Sequence, residues 1–218
     1  NGPVNITDSW AFYNGHLEAG QGQGIRHDAG ANQEFTWTIS NNIAVGNKYV
    51  AFNVGTDHEP YDAVNFYHNL GYGNKYGLFP SGSQPPDQPR VYHNNVFHDN
   101  WQFDIIVYDN QFTHTNNYWG ERIEKRNLQF ETPDINPPVA VTADDYVSLD
   151  IDELLRPRKP DGALPDVDFA RLKPDSDLID AGVFIEGYHC PSAGEHLGHD
   201  CREWHGAAPD LGPFEYIP

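Results

Sequence analysis

Arg26 is the residue of this sequence most suited to chemistry. It stands in the run Gly24-Ile25-Arg26-His27, just after a glycine-rich turn. Two runs follow in similar positions, Val50-Ala51-Phe52-Asn53 and Gly77-Leu78-Phe79-Pro80, with 26 residues from Arg26 to Phe52 and 27 from Phe52 to Phe79. A guanidinium is a planar fork of N–H donors that matches a carboxylate. In water it is a poor base, its pKa lying above about 12. Three readings of Arg26 therefore stand together: a base, a clamp for a substrate carboxylate, or a surface arginine paired with Asp28. If Ile25, Ala51 and Leu78 point inward, alternation sets Arg26, Phe52 and Phe79 in one outward file. Such a file would repeat at the strand spacing of about 4.8 Å and track successive units of a polymer. His27, Asp28 and Asn53 would be further contacts. A slip of one residue would instead bury both phenylalanines.

Two long turns leave the same runs. Thr56-Asp57-His58-Glu59-Pro60-Tyr61-Asp62 offers His58 as a substrate contact, and Asp57 and Glu59 as contacts or cation ligands; a solvated polar loop is the plainer reading. The other turn is Ser81-Gly82-Ser83-Gln84-Pro85-Pro86-Asp87. A second cluster, His189, Cys190, His196, His199, Cys201 and His205, looks metal-like, but its two cysteines are eleven residues apart and alone in the chain. Zinc sites want thiolates at shorter spacing. In an exported chain this pair reads as one disulfide, Cys190–Cys201.

The elements that must position these groups are read from a repeat. The 218 residues hold 19 Asn, of which 17 lie in the first 117. Ser9, Asn42, Asn69, Asn95 and Asn117 occupy equivalent places at spacings of 33, 27, 26 and 22. The surrounding runs, such as Phe35-Thr36-Trp37-Thr38-Ile39, alternate as strands do, and no long 3.6-residue periodicity accompanies them. A drifting period of 20–30 residues built from short strands signals a stacked solenoid. The expected fold is all-β, a right-handed parallel β-helix with one coil per repeat. The asparagines are expected to stack inside a sharp bend, each amide satisfying backbone groups and its neighbour; Asn14, Asn47, Asn74 and Asn100 are expected to end strands at turns. Residues 1–120 are read as coils. Residues 121–218 are read as a proline-rich acidic extension packing on them, carrying 21 of the 32 acids. Within it, 144–155 is expected to form a short helix and 156–172 an extended strap.

Aligned by coil, the chain resembles polysaccharide lyase family 9, the pectate lyase-like right-handed parallel β-helices. The likeness rests on Gly2-Pro3-Val4-Asn5-Ile6-Thr7-Asp8-Ser9-Trp10-Ala11-Phe12-Tyr13-Asn14-Gly15, on Gly22-Gln23-Gly24-Ile25-Arg26-His27-Asp28-Ala29-Gly30, and on Asp177-Leu178-Ile179-Asp180-Ala181-Gly182 with Pro209-Asp210-Leu211-Gly212-Pro213-Phe214-Glu215 near the end. The resemblance implies a secreted or periplasmic lyase that breaks a polyuronate such as pectate by β-elimination. It makes Arg26 the catalytic base, where the family has lysine; other β-helix pectate lyases use arginine for this step. It also implies calcium, although the acidic cluster that binds it in the family lies upstream of the motifs matched here. The chain is thus expected to resemble the C-terminal portion of a longer enzyme, completed by an N-terminal segment or chain.

Charge narrows the partners. Lys and Arg number 13 against 32 Asp and Glu, a net charge of −19, which excludes a basic nucleic-acid face and an anionic-lipid binder. No apolar run is long enough for a membrane helix. The same charge opposes a polyanion at long range, an opposition that calcium or a basic segment beyond this sequence would offset. Two other classes remain: a non-catalytic carbohydrate-binding β-helix, and a glycoside hydrolase on the same scaffold, for which Asp28, Asp57 and Asp104 are the candidate carboxylates.

Overall fold

The computed structural model describes residues 4–16, 22–27, 36–55, 63–81, 89–107, 112–125, 134, 139–193 and 201–218. The short alternating runs form short strands. β1 (Val4–Thr7), β2 (Trp10–Phe12) and β3 (Ile25–His27) make the first coil. β4 (Thr36–Ser40), β5 (Ile43–Val45) and β6 (Val50–Gly55) make the second, and β7 (Ala63–Tyr67), β8 (Leu70–Tyr72) and β9 (Tyr76–Ser81) the third. β10 (Arg90–His93), β11 (Val96–His98) and β12 (Phe103–Val107) follow, then β13 (Thr113–Thr115) and β14 (Ile123–Lys125). Strands of like position stack in parallel into three sheets, β1-β4-β7-β10-β13, β2-β5-β8-β11 and β3-β6-β9-β12-β14. This is a right-handed parallel β-helix. β14 carries the third sheet past residue 120, where the composition changes. Among the described residues no helix is long and apolar enough to cross a membrane.

The bend from the first sheet to the second takes two residues. The first has positive φ in every coil: Asp8, Asn41, His68, Asn94 and Asn116, at 51–59°. Asp and Asn tolerate this region because their short polar groups bond locally. The second residue builds the predicted ladder. Asn42 Nδ2 donates to Asn69 Oδ1 at 3.0 Å, Asn69 Nδ2 to Asn95 Oδ1 at 3.0 Å, and Asn95 Nδ2 to Asn117 Oδ1 at 2.8 Å. Each Oδ1 also accepts the backbone N–H of the preceding coil's ladder residue. The next bend carries a second ladder, Asn14–Asn47–Asn74–Asn100, joined the same way at 2.9 Å per step.

Both ladders run in one direction, each amide donating forward, so the final group must only accept. An ionised carboxylate does this. Asp134 accepts Asn117 Nδ2 at 2.7 Å and Asp104 accepts Asn100 Nδ2 at 3.0 Å. The second carboxylate oxygen of Asp104 takes the Arg122 N–H. Burial nevertheless pushes the Asp104 carboxyl up, against these hydrogen bonds. Gly120, at φ +67°, lies where a Cβ would run into that carboxylate, so it must stay glycine. Asn69→Ala would strip the acceptor from both Asn42 donors and free the Ile39 carbonyl. It should cost about 3 kcal/mol of unfolding free energy, checked by urea denaturation.

The extension covers the outer face of the second sheet. Ile43, Val45, Leu70 and Val96 point out and pack against Tyr146, Leu154, Phe169, Leu172, Leu178 and Leu211. In place of one helix over 144–155 there are two 3₁₀ turns, Ala143–Asp145 and Ile151–Leu155. Asp145 closes a capping box with Thr142 instead of continuing into a helix. The Cys190–Cys201 disulfide is formed, and beside it His189 reaches His68 in the first bend. The Ile185 N–H donates to His189 Nδ1 at 2.8 Å, so the His189 proton sits on Nε2 and is given to His68 Nε2 at 2.9 Å. His68 in turn donates from Nδ1 to the Gly212 carbonyl at 3.1 Å. Both rings are buried and neutral. Burial, with Arg202 nearby, holds His68 well below the usual imidazole range and His189 at about 3.

Candidate active site

The third sheet leaves its outer face uncovered by the described part of the extension. Pairing places Arg26 beside Asn53, and Asn53 beside Phe79, on three successive strands. Arg26 is exposed, and Asn53 and Phe79 are half-buried. Asn53 Nδ2 reaches Gln23 Oε1 at 3.4 Å, one step along the same face. The outward file is therefore Arg26–Asn53–Phe79.

Phe52 is not in it. The pairing partners of Phe52 are Ile25 and Leu78, and its ring is fully buried, 5.2 Å from Phe66 and 6.0 Å from Phe97. The physical reason is a break in alternation. Ala51 and Phe52 both lie in the inner core. A Cβ on Gly24 would meet Ala44 and Asn47, and one on Gly77 would meet Phe97 and Asn100, all groups of the coil interior. Gly24-Ile25, Ala51-Phe52 and Gly77-Leu78 are thus consecutive inward pairs. In Val50-Ala51-Phe52-Asn53 the outward residue after the pair is Asn53.

His27 is also corrected. As the neighbour of Arg26 it faces inward, 1% exposed, with its ring edge-on to Trp37 at 4.6 Å. It supports the strand and cannot touch a substrate. Asp104, a candidate for hydrolase chemistry, is buried at the ladder's end. Asp28, Asp57, His58 and Glu59 lie outside the described residues. Among the described residues no group of three or more His, Cys, Asp or Glu is placed to hold a metal ion. These residues therefore do not form the implied calcium site.

The sequence reading missed a second outward row on this sheet. Tyr76 and Phe103 pair across β9 and β12, where the strands begin, next to the fully buried Val50 of β6. The Tyr76 and Phe103 rings stack at 6.2 Å and 7°, and Tyr49 meets Tyr76 edge-on at 5.1 Å. Lys75 Nζ lies over three rings, 5.5 Å from Tyr49, 5.0 Å from Tyr76 and 5.4 Å from Trp101. The repeated Lys-Tyr at 48–49 and 75–76 was the available signal.

In fold the chain is a right-handed parallel β-helix, and in fold and in sequence it is similar to pectate lyases. In particular, it is 29% identical over 219 residues to Pectate lyase L of Dickeya dadantii (strain 3937), an alignment covering 97% of this chain and 42% of that protein. It superposes on the crystal structure of pectate lyase Pel9A with a TM-score of 0.56 and 26% identity, over 99% of this chain and 46% of that one. The chain thus spans less than half the length of these two relatives. No family model matches it.

Proposed function

We propose that this chain is the catalytic-face portion of a polysaccharide lyase that breaks a polyuronate such as pectate by β-elimination. One observation carries the reading: Arg26 is an exposed cation on the open face of the third sheet, in a chain similar over 97% of its length to a pectate lyase. A uronan lying across the Arg26–Asn53–Phe79 file would present C5 to the guanidine. The Arg26 guanidinium first gives one proton to water; the neutral guanidine then takes the C5 proton, the C–H electron pair forms the C4–C5 double bond, the C4–O bond breaks, and the leaving oxygen takes a proton back from the solvent. Calcium enters this reading from the family likeness alone. Export to an oxidising compartment belongs to it too, supported by the Cys190–Cys201 disulfide.

The test is Arg26→Ala, followed through the ultraviolet absorbance of the unsaturated product. Loss of product with binding largely kept identifies the base. Parallel loss of binding and turnover identifies a clamp, because a lost ground-state contact raises KM. Unchanged cleavage would place the active face elsewhere.

A further inference from the structure

The first 107 residues contain four cations, Arg26, Lys48, Lys75 and Arg90. Arg90 is buried. Lys48 and Lys75 stand where the chain enters the third sheet, and Arg26 stands on that sheet. In a chain of net charge −19, Lys48, Lys75 and Arg26 are the cations these coils offer to a polyanion on the third sheet.

Lys75 is the best organised of them. Among the described residues no carboxylate pairs with it; three aromatic faces hold it instead. Such faces fix an ammonium without neutralising it. Its neighbour Trp101 is 61% exposed, an unusual fate for so large an apolar ring. Tyr76 and Phe79 lie three residues apart on one strand, so the aromatic row runs beside the Arg26–Asn53–Phe79 file, about 10 Å from it at about 3.3 Å per residue.

We propose that Lys75 and Trp101 form a second contact strip for an acidic sugar chain on the third sheet, Lys75 binding a uronate carboxylate and Trp101 stacking on a sugar ring. The inference rests on the proposed polyuronate substrate and extends it to named specificity residues. The rings restrict Lys75 before binding, so little side-chain entropy is lost when the carboxylate arrives.

The experiment is calorimetric titration with oligogalacturonate and with its fully methyl-esterified counterpart, on the wild type, Lys75→Gln, Lys75→Arg, Trp101→Ala and Arg26→Ala. Melting temperatures confirm that each variant folds. Lys75→Gln should weaken oligogalacturonate binding about tenfold, the size of one charge-assisted contact. It should leave the esterified ligand unaffected, and Lys75→Arg should restore most of the loss. Trp101→Ala should weaken both ligands about fivefold, as loss of an aromatic stacking contact does. Wild-type affinity in Lys75→Gln overturns the strip. If Arg26→Ala loses formation of the unsaturated product while Lys75→Gln binds like the wild type, the lyase reading survives that failure. Loss in Lys75→Gln with Arg26→Ala unchanged in both binding and cleavage keeps the strip and removes Arg26 from the site. A wild type that binds neither ligand overturns both.

Discussion

Lowering the pH from 6.5 to 4.5 should reduce the unfolding free energy of this protein by about 4 kcal/mol. His68, His189 and His98 are each no more than 3% exposed. Burial lowers all three, His189 to about 3. An unfolded histidine takes up its proton near 6.5, so below that pH the unfolded chain binds more protons than the folded one. The stability of a neutral buried histidine is complete above the unfolded value and is lost as the pH falls, by about 1.4 kcal/mol per pH unit per group. Glu215 works in the other direction. Burial first, then Asp210, raises its carboxyl to about 7, so its stabilisation is full at low pH and is lost on the way up. It cancels about one histidine between 4.5 and 6.5. Asp104 and Asp210, also raised by burial, offset more near the lower end. Urea midpoints across this range check the sum. His189 is the group to isolate: His189→Gln removes its proton uptake and should flatten the slope by about half. A profile flat from 6.5 to 4.5 would show that the His68–His189 pair is open to water.

The parts of the fold legible in the sequence were those where chemistry forces one residue type. A ladder site needs a side chain that donates and accepts within one amide, so Asn42, Asn69, Asn95 and Asn117 kept their identity while the loops between them changed length. The Asn47–Asn74–Asn100 ladder was equally regular but read as turn punctuation, since asparagine also ends strands for local reasons. Its terminal Asp104 gave no signal, because a carboxylate that ends a ladder looks like any other acid in sequence. On the third sheet, alternation was the wrong rule. Small residues at 24, 51 and 77 allow the backbone to turn two successive side chains inward, and that shifts every residue after the pair by one place. Arg26 fell on the outer face under either count; Phe52 did not. The cage around Lys75 gathers Tyr49, Tyr76 and Trp101 from three coils, and nothing local ties Trp101 to the Lys-Tyr pair.

The same shift makes Phe52 and Phe79 opposites under mutation. Phe52→Ala should destabilise the protein by about 4 kcal/mol, because the ring is fully buried among Phe66, Phe97 and Leu78 and its removal leaves a cavity that paired strands cannot close. Its two edge-on aromatic contacts add to the loss. Phe79→Ala removes a half-buried ring from the outer face and should cost about 1 kcal/mol. Equilibrium denaturation of the two variants decides the register directly. If instead Phe79→Ala were the costly change and Phe52→Ala the mild one, the two phenylalanines would have exchanged faces. The ligand response should run the other way. Phe79→Ala, beside Asn53 and two strands from Arg26, should weaken uronate binding in a protein that remains folded. Phe52→Ala should alter binding only in proportion to the fraction unfolded. A Phe52 variant that stays folded at the assay temperature but loses ligand would put that ring on the surface and return the file to Arg26, Phe52 and Phe79.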